Sequence, residues 1–191
     1  MPAVLTGATS HQHLAQGFVI GTRFHSAPVI RLADAKPVHL GHAAPADGRF
    51  RIYAFSGAED PAATGSAVRA LCNFLSDARE SPVRRYTPAV ADIDSVIDLR
   101  AVFQQDHREL ALEAMPALLL PRKGRYGLID YEKMFCPDLK NGQDVFTMRG
   151  IDRRAGCMVV VRPDQYVATV LPLDDFAALA AYFDGFMQQV N

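Results

Sequence analysis

The chain has 191 residues, 49% of them hydrophobic and 21% charged, with a formal net charge of -1, the composition of one soluble domain able to bury a sizeable core. Acidic and basic residues are intermixed, so no field of one sign invites nucleic acid or an anionic membrane. Three cysteines, with no CxxC pair, are too few and too far apart for a disulfide framework and fit a reducing, cytoplasmic setting; no basic leader opens the chain and no apolar run reaches the roughly 18 residues of a membrane span.

Residues 1–48 show little sustained periodicity, and their short extended pieces, APVIRLAD and KPVHLGH, are separated by Gly, Pro and Ala. Irregular stretches of that length are usually functional or linkers. Residues 1–48 are therefore expected to form an extended N-terminal arm that tethers residues 49–191 to something upstream.

RFRIYAFSG, from Arg49 to Gly57, is rich in β-formers and stops at Ser-Gly, which predicts a buried strand. Val68, Leu71, Cys72 and Leu75 then fall at i, i+3, i+4 and i+7, the apolar stripe of a helix expected to begin near Asp60-Pro61. Asp94–Phe103 is the second strand. Its polar residues Asp98 and Arg100 alternate with Ile97, Leu99 and Ala101, which puts one end of it at an edge or over a groove. Pro116, Pro121, Gly124 and Gly127 break the next stretch into a short helix, an extended turn and a second short helix or strand.

The C-terminal third has the clearest pattern. Val159–Leu171 is a hairpin of two near-continuous Val-rich runs, suited to a sheet covered on both faces, with Pro163 at the second position of a type I turn. In the final helix Phe176, Leu179, Ala180, Phe183 and Phe186 or Met187 make one stripe, and Asp174 and Asp175 lie in the first turn, where the helix dipole favours acids. Strand, helix, strand, irregular region, hairpin, helix is an α/β layout: a central mixed sheet flanked by helices. Its ending resembles that of thioredoxin-like domains.

Such a layout raises the question of redox chemistry. A thiol–disulfide enzyme needs a thiolate at a helix N-terminus with a second cysteine one turn away, and SGAEDPAATGS, between first strand and first helix, has no cysteine. Cys72 lies on the apolar stripe as a small buried hydrophobe. Where thioredoxins set a cis-proline before the third strand, this chain has Ala155-Gly156-Cys157. Cys157, or Cys136, stays open as a single reactive thiol, with burial the favoured reading.

The remaining candidates are weaker. His11, His13, His25, His39 and His42 have spacings that can bring imidazoles onto one metal, yet no local carboxylate or cysteine completes a set, so solvated or capping histidines are favoured. No GxGxxG or GxxxxGK[ST] holds a nucleotide, and no GxSxG presents a serine nucleophile. Arg122-Lys123 with Arg125, and Arg149 with Arg153-Arg154, are solvated faces in the favoured reading and anion or partner sites in the other.

GTRFHSAPVIRLADAKPVHLGH together with GIDRRAGCMVVVRPDQYVATVLPLDDFAALAAYF resembles the C-terminal domain of the phenol hydroxylase and 3-hydroxybenzoate 4-hydroxylase family of FAD-dependent aromatic monooxygenases. The resemblance runs from about Gly17 onward and includes RIYAFSG and GRYGLIDYEKMF in order. It implies a thioredoxin-like dimerisation domain without CxxC, an upstream domain holding FAD and using NADPH, and a homodimer. It carries no catalytic, cofactor-binding or metal-binding residue onto this chain, which is expected to be inactive alone. It also implies that the arm from Met1 to Pro37 crosses between domains, with RFHSAPV against the catalytic body. Tyr166, Tyr182 and the clusters around Arg122 and Arg153 are candidates for the dimer face. The alternatives are a free-standing thioredoxin-like protein that binds a small molecule or partner, and a single-thiol redox enzyme.

Overall fold

The computed structural model describes residues 6–189. β-branched and aromatic residues form a seven-stranded mixed sheet. Its strands are β1 (Pro28–Arg31), β2 (Pro37–His39), β3 (Phe50–Phe55), β4 (Ile97–Val102), β7 (Met134–Pro137), β8 (Cys157–Val161) and β9 (Val167–Leu171), in the order β2-β1-β7-β4-β3-β8-β9. β4 runs parallel to both β3 and β7, and every other pairing is antiparallel. A separate two-stranded hairpin pairs β5 (Arg122–Lys123) with β6 (Leu128–Ile129).

Alternation along β3 divides the core in two, because successive side chains leave a strand on opposite faces. Ile52 and Ala54 join Leu99, Ala101, Met158 and Val160 on one face. That face is covered by α1 (Ala67–Asp77), α2 (Pro82–Tyr86) and α4 (Phe176–Asp184), which supply Val68, Leu71, Leu75, Val83, Leu179 and Phe183. The last two helices are joined at the surface, where the Asp184 carboxylate accepts from Arg85 and from the Tyr86 hydroxyl. Tyr53 and Phe55 point to the other face, beside Val102, Phe135 and Val159.

What covers that second face is the segment expected to be a tether. Leu14, Phe18, Ala27 and Leu40 are buried on it, alongside Val145 and Phe146 of the one-turn helix α3 (Val145–Met148), and β1 and β2 extend the sheet itself. Phe18, Phe24 and Tyr53 form a stack with centroid separations of 4.6 and 4.5 Å. The segment also flanks the edge of β9: Val167 donates to Thr22 and accepts from Gly21, and Gly7 donates to Ala168. Residues 6–48 are thus part of the folded body rather than an arm. They fill the place of a helical layer with irregular backbone, which leaves no period to read; residues 1–5 lie outside the described residues.

Two further expectations change. The first helix starts at Ser66, not at Asp60-Pro61: the Asp60 carboxylate accepts from Ala62 N and turns the chain, and Ser66 caps the helix by accepting from Arg69 N. β4 lies inside the sheet, not at its edge, and all six of its residues are buried. Its alternating Asp98 and Arg100 belong to a buried ionic network. The C-terminal hairpin follows the sequence closely, with Gln165 N donating to Arg162 O across the Pro163-Asp164 turn and Gln165 in the left-handed region at φ 67°. Asp175 is the N-cap of α4, accepting from Ala178 N.

Candidate functional site

In a thioredoxin-like sheet, redox chemistry would sit where β3 runs into α1. Here that corner is closed by backbone and amide contacts. Gly156, at φ 65°, packs so tightly that a Cβ on it would lie 2.3 Å from Phe55 O and 2.8 Å from Gly57 N. The Gln104 side-chain amide donates to Ser56 O at 3.0 Å and Arg153 O at 2.6 Å, and Gln105 donates to Glu59 O at 3.0 Å. Glu59 in turn places its carboxylate at the start of α1, accepting from Ala67 N at 3.2 Å. The position a thiolate or a phosphate would use at that helix N-terminus is held by an internal carboxylate. Sequence reading missed both glutamines because their role depends on strands brought together from distant parts of the chain.

The three cysteines are buried and unpaired with one another. Burial pushes the Cys72 and Cys136 thiols up to about 12, and it raises Cys157 as well, with the charge of Asp152 adding to the effect. A reactive thiol needs the opposite shift. Alkylation of the native chain with a maleimide should therefore be slow at all three, and unfolding in urea should expose three equivalents; one fast native thiol would revive the single-thiol reading.

Among the described residues no three His, Cys, Asp or Glu side chains come together as a metal site. His11 and His13 lie with ring centroids 6.2 Å apart, and His39 and His42 at 5.3 Å. The basic clusters do not form two faces. Lys123 turns inward to Asp94 (2.9 Å) and Asp130 (3.2 Å), while Arg122 donates to Gly127 O and Arg125 lies over the Tyr126 ring. Arg149 is over Phe18 and donates to Ser26 O; Arg153 pairs with Asp144 over Phe146; Arg154 is exposed. Tyr166 is exposed at the hairpin turn beside Arg162, and Tyr182 packs against the helical core, its phenol pushed up by burial.

Lys123 is one entry point to the buried network. Lys133, 1% exposed, reaches Asp94 at 2.5 Å and also contacts Asp98. Asp98 is itself 2.9 Å from Arg51 Nε and 3.0 Å from Arg100 Nε. Arg49 touches Asp94 at 3.4 Å, and Arg49 and Arg51 share Asp47 at 2.5 and 2.8 Å. Burial alone would raise the Asp94 carboxyl, but the charge and hydrogen bond of Lys133, with those of Lys123, hold it below its usual value.

Beside this network, between the N-terminal segment and the β8–β9 turn, lies a cavity of about 440 Å³ lined by Arg23, Arg49, Arg51, Arg162, Phe24 and Tyr53 among others. On the hairpin β5–β6, Tyr126 and Leu128 are 78% and 70% exposed, and Tyr131 follows at 45%. Val90, wholly exposed, belongs to the neighbouring loop, where Asp92 accepts from Gly124 N at 2.8 Å.

These features define a thioredoxin-like domain whose redox corner is filled. Solved structures of the same fold agree: a thioredoxin-like protein from Bacteroides caccae superposes with a TM-score of 0.55 at 11% identity, over 94% of this chain and 54% of that one. The C-terminal domain of an uncharacterised protein from Bacteroides fragilis gives 0.54 at 12% identity, over 88% of this chain and 99% of that one.

The chain belongs to the family described as phenol hydroxylase, C-terminal dimerisation domain, which it matches over residues 1–191. It is 62% identical over 188 residues to a 3-hydroxybenzoate 4-monooxygenase of Comamonas testosteroni, covering 98% of this chain and 29% of that protein. It is 32% identical over 183 residues to an FAD-dependent monooxygenase, terD, of Aspergillus terreus, covering 94% of this chain and 30% of the relative. The chain therefore spans less than a third of the length of these relatives. No helix among the described residues is long and apolar enough to cross a membrane.

Proposed function

We propose that this chain is the C-terminal module of a cytoplasmic, FAD-dependent phenolic monooxygenase, serving homodimer contacts and packing against the upstream flavin and substrate domain. The match to a dimerisation-domain family, over a chain that corresponds to only part of each monooxygenase relative, carries the reading. Placing flavin and NADPH upstream is supported by the strand–helix corner, which has no glycine-rich phosphate loop and where Glu59 takes the helix N-terminus. In this reading FAD, NADPH and every catalytic residue belong to the upstream domain.

The face around β5–β6 is the proposed contact between copies. Tyr and Arg are enriched at the cores of protein interfaces, and Tyr126, Leu128, Tyr131 and Arg125 present that chemistry on a short hairpin which alone would be marginal. Sedimentation of the chain should give a dimer without flavin absorbance or NADPH-dependent oxygen uptake. The pair Tyr126→Ala and Leu128→Lys should shift it to monomer, weakening association by at least about tenfold. A dimer unmoved by both changes would place the contact elsewhere, and a monomeric wild-type chain would contradict the assembly role.

A further inference from the structure

The cavity beside the ionic network differs from the rest of the surface in its imbalance of charge. Four guanidinium groups line it, from Arg23, Arg49, Arg51 and Arg162, and no carboxylate-bearing residue does. The nearest acids are already divided. Asp47 is shared by Arg49 and Arg51, Asp164 holds Arg162, and Asp94 and Asp98 are engaged by Lys133. Arg23 has no ion-pair partner among the described residues and is exposed.

One buried polar atom on the same walls is unsatisfied, and a phenol also lines the cavity. Arg51 is 4% exposed, and its Nε, although 2.9 Å from Asp98, makes no aligned hydrogen bond. A buried donor without an acceptor is costly. The phenol is that of Tyr53, 1% exposed as a residue. Burial, its largest influence, pushes that phenol up to about 12, so it stays a donor at neutral pH. The other walls are apolar, with Phe24, Ala44, Val161 and Pro163. The volume lies in the range of small-molecule sites, which combine apolar lining with a few convergent polar groups.

We infer that this cavity binds a small organic carboxylate with an apolar body. The lining guanidinium groups, led by the unpaired Arg23, take the carboxylate as charge-assisted donors, and Phe24, Val161 and Pro163 face the body. A bare, strongly hydrated oxyanion such as phosphate gains nothing from those apolar walls. The site is independent of the homodimer reading, since none of its residues lies on β5–β6.

The test is calorimetric titration of the 191-residue chain with benzoate, methyl benzoate and inorganic phosphate. Benzoate should bind saturably at one site, more weakly as salt rises, and the uncharged ester should not. Arg23→Gln, at an exposed position, should weaken benzoate roughly tenfold, the scale of one charge-assisted hydrogen bond. Tyr53→Phe, which keeps the ring in the core, should weaken it by a smaller factor. Absence of saturable benzoate binding overturns the inference, as does equal binding of the ester. So does phosphate binding as tightly as benzoate, or benzoate affinity unchanged by Arg23→Gln when circular dichroism shows both chains folded.

Discussion

Replacing Gly156 with alanine should destabilise the chain by about 2–5 kcal/mol, seen as a lower urea midpoint at unchanged slope. Two costs add. The residue sits at φ 65°, where a Cβ costs roughly 1–2 kcal/mol. That Cβ would also lie 2.3 Å from Phe55 O and 2.8 Å from Gly57 N, neither of which is a flexible side-chain end. Gly124 separates the two: it has the same φ of 65° but open space around its Cβ position. Gly124→Ala should therefore show the conformational cost alone. Equal losses at the two sites would mean that the β8 entry relaxes away from Phe55, and that the corner where a thioredoxin-like protein would work is looser than its geometry implies. A larger loss at Gly156 would establish that the corner is held shut as part of the fold's own packing.

How far the sequence reveals this arrangement depends on whether a residue's role is local. The β8–β9 hairpin and α4 are legible because Pro163, the Val runs and the aromatic stripe act within a few residues of one another. The family resemblance is legible for the same reason, since it rests on contiguous segments. Within residues 6–48 the extended pieces APVIRLAD and KPVHLGH are legible and contain β1 and β2, but the rest is not, because burial of Phe18, Ala27 and Leu40 outside those strands is achieved with irregular backbone that has neither a period of 2 nor of 3.6. The cavity escapes as well: Arg23, Arg51 and Arg162 are far apart in the chain and meet only when the N-terminal segment lies across β3 and the β8–β9 turn. The alternation of Asp98 and Arg100 is visible and suggests an edge or a groove, but an ionic layer under a cover produces the same pattern. Only Lys133, from a stretch broken by glycines and prolines, decides between them. Exposed Tyr126 and Leu128 read in sequence as an ordinary β-pair, since exposure is a property of what fails to cover them.

Lys133→Met should cost about 3–5 kcal/mol at neutral pH, the scale expected when one partner is removed from a buried ion pair. The side chain is replaced by one of similar length, so most of the loss reflects buried carboxylates left with less opposing charge rather than a cavity. Its dependence on pH distinguishes the two. In the wild-type chain burial pushes the Asp94 carboxyl up, but Lys133 and Lys123 outweigh it and hold the folded value below the ordinary one. A depressed carboxylate contributes stability that is fully present above its unfolded value of about 4 and is lost as pH falls through the folded value. Asp130, also held low through a backbone hydrogen bond from Glu132 and the charges of Lys133 and Lys123 against its burial, acts in the same direction. Wild-type stability should thus be nearly level from pH 7 to about 5 and decline below about 4. In the variant the largest opposing charge is gone and only Lys123 and Arg49 still offset burial, so protonating Asp94 costs less than in the wild-type chain. The gap between the two chains should be widest near pH 7 and narrow steadily towards about pH 4. A gap independent of pH would mean that Lys133 stabilises the sheet through its methylene packing, and that the ionic layer under the N-terminal segment contributes little.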